Sequence, residues 1–501
     1  MTFALNEKQI LAIEKINQFI SQDVNKMFYL QGYAGTGKTF LIGKVIKDFL
    51  LSNKMDHIFV CAPTHKALKV IESYLKSNFS ENEQIDCLKK ISFMTIHKLL
   101  EFKPIIVAED GSKIFKSMKE SKFLKKMEDK LIVIDECSMI SKEMVSELKK
   151  YIELYPIKII FMGDKKQLPP VGETESLIFT NITNQYEHQF LLNQIMRTNS
   201  PDIKEVCTII RNWNKKDSLT KLLLPIHNKK AINNNKPFKL YLKKQNYLES
   251  PWFKYFIKKL NSGDIPIILT WKNSSSDEYN TIIRKHVHKS SDINNYMVGD
   301  YAMFNNYYTS PIDGTNFYTS DMIKILEVST EEKILYEWEQ LLLEKPKTMI
   351  DKALNTLIKK ISKKENKFRI DKIIAEKIHS DVSSVIHGIT YTIQSIHRDD
   401  LDLYHQVLDD IQNNIKSFFR NYKSEKLVSK LWELYHKKLI DPFAEINFGY
   451  SITIYKSQGS TFSTVLVDMN DVNSFMSLDE YQKALYTAAG RASHELGFLL
   501  E

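Results

Sequence analysis

The sequence predicts an α/β fold with two parallel sheets, each flanked by helices, and smaller β-rich and helical pieces inserted between them. Three observations carry this. Short apolar runs separated by helical patterns recur through the first third of the chain. The same alternation returns near residue 266 and again after residue 450. A glycine-rich loop joins the first apolar run to the first long amphipathic stretch after it.

Residues 5–20 (LNEKQILAIEKINQFI) place apolar side chains at 13, 16 and 20, a helical spacing, with Asn6 positioned as the cap. Apolar runs follow at 27–30 (MFYL), 58–62 (IFVCA), 131–134 (LIVI) and 157–162 (IKIIFM). Each is closed within two residues by Gly, Pro or Asp, as befits buried strands that deliver their loops to one sheet edge. Helical patterns at 38–51 and 64–76 separate the first of them. Later, strand-like 266–269 (PIIL) precedes a helical 276–288, and 451–455 (SITIY) and 464–468 (TVLVD) precede a helix at 478–491.

The expected organisation is a first α/β domain over 1–198 and a second over 199–295 and 447–501, split by an insertion at 296–446. The insertion opens with Gly- and Tyr-rich strand-like text (296–328), then turns helical and basic, with 11 Lys and Arg against 5 Asp and Glu between 344 and 378. That charge fits a solvated helix face or a nucleic-acid contact equally well. Within the first domain, Asp110-Gly111 between apolar stretches signals a hairpin over about 101–129.

Composition agrees with a multidomain globular chain: at roughly 150 residues per domain, 501 residues make about three domains. Seventy Lys and Arg against 61 Asp and Glu leave a net charge of +9, which favours a polyanionic partner. No apolar run reaches the roughly 18 residues of a membrane span. Asn6, Glu7 and Lys8 stand where an export signal would need apolar residues, so an intracellular location is expected (cytoplasm, nucleoid or host replication site), without secretion or membrane attachment. Cys61, Cys87, Cys137 and Cys207 are widely spaced, which argues against a zinc ribbon, an iron–sulfur cluster and a disulfide framework.

Gly32-Tyr33-Ala34-Gly35-Thr36-Gly37-Lys38-Thr39 fits G-x-x-x-x-G-K-[ST] between a strand and a helix. Its glycines let backbone N–H groups turn toward phosphate oxygens at a helix N-terminus. Lys38 is expected to reach the β- and γ-phosphates of ATP, and Thr39 to help hold Mg²⁺. Asp135 and Glu136 end an apolar strand, a placement that suits Asp135 to the Mg²⁺ shell and Glu136 to polarising an attacking water. In Gly163-Asp164-Lys165-Lys166-Gln167, a Gln beyond the next strand can bond both a γ-phosphate and that water.

In this order the motifs resemble those of superfamily 1 helicases. Ala62-Pro63-Thr64-His65 is similar to the 1B branch that contains Dda, RecD and Pif1, and is nearest the Dda-like enzymes. Thr95-Ile96-His97, Leu192 to Arg197, Thr453 to Thr461 and Leu485 to Ala492 resemble further motifs of that family. The resemblance implies two RecA-like P-loop domains, with Arg197 and Arg491 approaching the γ-phosphate and Gly459 near the nucleotide. It implies an adenine-reading role for Gln9, although Asn6 and Gln9 equally satisfy a helix capping box. Pro63, Thr64, His65, Thr95, His97, Lys456, Ser457 and Gln458 match positions that face single-stranded DNA. The hairpin matches a duplex-splitting pin, with Phe115 its suspected aromatic. At the position before Arg491 the family commonly has Thr; this chain has Gly490.

The expected activity is therefore ATP-driven DNA unwinding with 5′-to-3′ travel, by a monomer, on single-stranded and forked DNA. A single-stranded-DNA-binding protein or a replisome component is a further partner of the kind the resemblance implies. An RNA helicase or a translocase that does not unwind is the near alternative. A P-loop kinase or GTPase is more distant: a kinase does not need the late Lys-Ser-Gln-Gly and Arg491 segments, and no Asn-Lys-x-Asp guanine reader, which a GTPase requires, is expected. A non-hydrolysing scaffold would not need Glu136, Gln167 and both arginines.

Overall fold

The computed structural model describes residues 5–22, 26–52, 57–79, 87–117, 131–155, 157–179, 189–229, 236–363, 367–378, 385–473 and 477–501. The first sheet contains β1 (Met27–Gly32), β2 (Ile58–Ala62), β3 (Ile91–Thr95), β6 (Leu131–Ile134), β7 (Lys158–Gly163) and β8 (Gln189–Leu192). Its order is β3-β2-β6-β7-β1-β8, and every pairing is parallel. Alternate residues of each strand enter different cores. Phe28, Leu30, Ile160 and Met162 face the helices Glu7–Ser21, Lys38–Leu51 and His65–Asn78, while Tyr29, Ile159 and Phe161 face the opposite layer. Burial on both faces is why these strands read as unbroken apolar runs. Because all six run the same way, the glycine-rich loop, Asp135 and Asp164 emerge together at one edge, where β1 lies beside β7.

Between β3 and β6 the chain forms β4 (Phe102–Ile106) and β5 (Lys113–Ser117), an antiparallel hairpin. The rest of the expected hairpin segment, 118–129, lies outside the described residues.

A second parallel sheet contains β9 (Phe238–Leu242), β10 (Ile267–Thr270), β18 (Ser451–Thr453), β19 (Phe462–Asp468) and β20 (Ala492–Leu500), in the order β18-β10-β19-β20-β9. Its strands β10 and β18, paired directly, come from either side of the long insertion. The run 451–455 is only partly strand: Thr453 ends β18 and Ile454–Ser457 is one helical turn.

The insertion holds β11 (Tyr301–Phe304), a small ribbon of β12 (Tyr308–Thr309) and β13 (Asn316–Phe317), then β14 (Met322–Ile334), β15 (Lys367–Ile378) and β16 (Val385–Ile396). With β17 (Ile446–Phe448) they make an antiparallel sheet, β16-β15-β14-β11-β17, with β12–β13 as a separate pair. The second half of the insertion is thus not wholly helical, as its basic text implied. β15 buries Phe368 and Ile370 on one face, in the helical core of the insertion, and Ile373 and Ala375 on the other, in a second core, while exposing Lys372.

Helices Met349–Ser362, Leu401–Tyr422 and Glu425–Tyr435 form a separate core around Trp338 and Trp432. The hairpin tip docks onto it. Trp432 Nε1 donates to Ala108 O at 3.2 Å, His436 Nε2 lies 3.1 Å from Gly111 O, and Lys113 pairs with Asp441 at 2.9 Å. All four cysteines are buried. Among the described residues no helix is long and apolar enough to cross a membrane.

Candidate nucleotide and nucleic-acid site

The glycine-rich loop leaves β1 and turns through Gly35 and Gly37, at φ 76° and 77°, into the N-terminus of helix Lys38–Leu51. Glycine serves twice at Gly35: it accepts the left-handed backbone, and a Cβ there would meet the Cβ of Arg197 at 2.6 Å. Arg197 N and Met196 N both donate to Gly35 O, so the segment carrying Arg197 is bolted to the loop. Lys38 Nζ donates to Gly32 O at 2.8 Å and Tyr33 O at 3.2 Å.

Thr39 donates to Asp135 Oδ2 at 2.9 Å, and Asp135 Oδ1 accepts the Glu136 N–H at 2.8 Å. Burial, and then the Glu136 charge, push the Asp135 acid up to about 6, against the opposing pull of Lys38. A buried carboxylate beside a hydroxyl is a hard oxygen pair that fits Mg²⁺. Glu136 sits at φ 48°, an unfavourable backbone for a residue with a side chain, and lines the cleft beside Asp135. Gln167, 4% exposed, is held in a turn by its N–H bond to Asp164 O at 3.0 Å.

The second domain closes over these groups. Lys38, Thr39, Asp135, Glu136 and Gln167 share one cleft of 480 Å³ with Gly459, Thr461 and Arg491. Arg491 is 1% exposed and donates to Thr487 O and Ser460 O at 3.1 and 3.3 Å. Burial, then the neighbouring Arg197, lower its pKa to about 10, so it stays charged at neutral pH. Arg197 Nη1 crosses the seam to Gly490 O at 2.5 Å.

Gln9 is a capping residue that also lines the cleft. Its backbone and Oε1 complete a capping box with Asn6, while Nε2 donates to Thr36 O at 3.3 Å and the side chain lines the cleft. Phe40, Val70 and Tyr74, which the sequence analysis did not single out, form the apolar wall nearby, with the Phe40 and Tyr74 rings 5.2 Å apart. Ala34 lies in the loop with its N–H bonded to the Tyr486 hydroxyl at 2.9 Å.

The residues expected on DNA are scattered in their environments. Pro63 is half-buried after β2. Thr64 and Thr95 both use their hydroxyls as helix caps, accepting from Ala67 N and Lys98 N. His65 stacks on Tyr318 of the insertion at 4.4 Å, and His97 packs against Phe115 at 5.2 Å. Phe115 is 52% exposed and sits along β5, away from the docked hairpin tip. Lys456 Nζ donates to Asn305 Oδ1 at 2.8 Å. Ser457 and Gln458 complete the set expected to face the strand. Both are buried, the Ser457 hydroxyl on Ile454 O, and Gln458 Nε2 on Leu168 O across the seam.

Asn214-Lys215-Lys216-Asp217 has the spacing of a guanine reader, contrary to the expectation. It lies in a turn after helix Pro201–Asn212, where Asn214 Oδ1 accepts Lys216 N and Lys215 pairs with Asp479, and it lines no part of the cleft.

Two parallel-sheet domains facing each other across a P-loop define a two-domain P-loop NTPase. A family model described as an AAA domain matches residues 16–173, and one described as a UvrD-like helicase C-terminal domain matches 448–499. The uncharacterized protein R530 of Acanthamoeba polyphaga mimivirus is 54% identical over 496 residues, covering 99% of this chain and all of that protein. The RecD subunit of the RecBCD enzyme of Buchnera aphidicola is 32% identical over 154 residues, 30% of this chain and 23% of RecD. A solved Pif1 helicase from Candida albicans aligns over 100% of this chain and 96% of its own, at 14% identity and a TM-score of 0.47. The chain belongs to the superfamily 1B (Pif1/RecD-like) helicases and shares its family with R530.

Proposed function

We propose that the chain is an ATP-dependent DNA helicase that moves 5′-to-3′ along single-stranded DNA and opens duplex at a fork. The observation that carries this reading is the placement of Arg491: a buried arginine of the second domain in the same cleft wall as Lys38, Asp135, Glu136 and Gln167 of the first. Lys38 binds the β- and γ-phosphates, and the loop N–H groups at the helix N-terminus hold their oxygens. Thr39 and Asp135 would hold Mg²⁺, which offsets phosphate charge when bound. Glu136 orients the water and accepts its proton, while Gln167 bonds that water and the γ-phosphate. Arg491 and Arg197 stabilise the charge that develops on the transferred group.

Travel follows if closure of the seam changes the grip of each domain on the strand. His65, Thr95, His97 and Lys456 are the groups proposed to face the strand, with the hairpin ahead of them. Affinity should fall steeply with salt, because phosphate contacts dominate.

Strand displacement on 5′-tailed, 3′-tailed and RNA-tailed duplexes tests the reading. Displacement should need ATP and a 5′ DNA tail. Displacement from the 3′ tail alone contradicts the polarity; preference for the RNA tail favours the RNA helicase; ATP turnover without displacement favours the translocase.

A further inference from the structure

A buried cluster at the seam lies outside the cleft chemistry above. Asp164, just beyond β7, is 0% exposed. Both its carboxylate oxygens accept from Arg211 Nη1 at 2.7 Å, and Oδ2 also accepts the Tyr486 hydroxyl at 2.9 Å. The Tyr486 oxygen in turn accepts the Ala34 N–H of the glycine-rich loop, and the Arg211 guanidinium lies 3.8 Å over the Tyr33 ring.

The cluster joins four segments. Ala34 and Tyr33 belong to the phosphate loop, and Asp164 pins the Gln167 turn through its carbonyl. Arg211 ends helix Pro201–Asn212, and Tyr486 lies on helix Leu478–Ala489, the helix that leads into Arg491. Those two helices pack together in the core of the second domain, so both side chains bonded to the Asp164 carboxylate come from across the seam, while the Lys166 N–H donates to Oδ1 from its own turn at 3.1 Å.

A buried ion pair is poor evidence of stabilisation, since its desolvation cost rivals its attraction. What it does is make separation expensive: opening the seam here leaves the guanidinium without its carboxylate and the carboxylate with the Lys166 N–H alone. The charge pair therefore has two sharply different states, joined or parted, and its joined state fixes both the Gln167 turn and the helix leading to Arg491. We infer that Arg211 and Tyr486 are positioning residues that register closure of the two domains and hold Gln167 and Arg491 in their catalytic places. The inference rests on the ATP-hydrolysis reading above.

Tyr486→Phe removes the hydroxyl and keeps the ring, and Arg211→Lys keeps the charge and loses the planar guanidinium that lies over Tyr33 while bonding Asp164. Both are assayed in the full chain for ATP turnover with saturating single-stranded oligonucleotide, with melting temperature as the check on folding. Tyr486→Phe should lower kcat at least about tenfold with the KM for ATP changed less than about twofold. Combined with Asp164→Asn it should add far less than the product of the two single losses, because both act through one contact. Arg211→Lys should show the same split between kcat and KM, so a misfolded first variant leaves the second to decide. A folded variant with parental kcat overturns the inference and leaves the ATPase reading standing. A parent chain without nucleic-acid-stimulated turnover overturns both.

Discussion

Gly490 packs against Ala34 so closely that a Cβ on Gly490 would stand 2.8 Å from the Ala34 Cβ. The second domain thus meets the phosphate loop through bare backbone, one residue ahead of Arg491, and the Gly490 carbonyl is left open to accept Arg197. The family's usual Thr at this position has no room in this arrangement.

Gly490→Thr should therefore hold the seam apart. Overpacking of this kind costs about 1–3 kcal/mol, which is roughly 5- to 150-fold in rate. DNA-stimulated ATP turnover should fall by that order while nucleotide still binds the first domain. Turnover equal to the parent would mean that the two domains close by another route.

The hairpin offers a second test. Trp432 is fully buried, and a Cβ on Gly111, at φ 73°, would meet its ring at 2.5 Å. Trp432→Ala removes the surface on which the tip rests and should cost about 3–5 kcal/mol in the helical core. Hydrogen exchange should then speed up at the amides of Val107 and Gly111, which bond Ser112 O and Val107 O. Unchanged protection there would show that the hairpin holds its own shape without the dock.

Histidine titration supplies a third. Burial, then the nearby His65, lower the pKa of His97; burial, then Lys69 and Lys98, lower that of His65. Both imidazoles are neutral at pH 7.5. On acidification the unfolded chain takes up these protons first, near its ordinary value of about 6.5, so folded stability falls as pH falls toward 5.5. His97→Gln should lose part of that slope, read as a shallower decline of melting temperature with pH. Parallel curves for parent and variant would place the His97 ring in an environment no different from water.

How much of this was legible in the sequence depends on how locally each feature is encoded. The strands β1, β2, β6 and β7 are buried on both faces, so their apolar runs announce them, and the glycine-rich loop is fixed by the turn it must make. Strand β15 was not legible, because Lys367, Arg369, Lys372 and Lys377 interrupt its apolar residues and its text reads as a continuation of the basic helix before it. Residues 451–455 look like one strand, yet only Ser451–Thr453 pair with β10. Arg211 belongs to no motif. Its meaning arises only when residues 47 and 275 positions away in the chain, Asp164 and Tyr486, are brought to it by the closure of the seam. The burial of Gln458 was not legible because nothing local in the text shows that Leu168, 290 positions away, will meet it across the seam.

The central claim is that triphosphate is cleaved between the two domains with Arg491 supplying charge from the far side. Arg491→Lys, measured beside Glu136→Gln for DNA-stimulated ATP turnover and for binding of a fluorescent ATP analogue, tests this most directly. Both variants should bind the nucleotide, and turnover should drop on the order of a thousandfold, the scale of a lost arginine finger. Turnover by Arg491→Lys within about threefold of the parent, with nucleotide binding intact, would contradict the account.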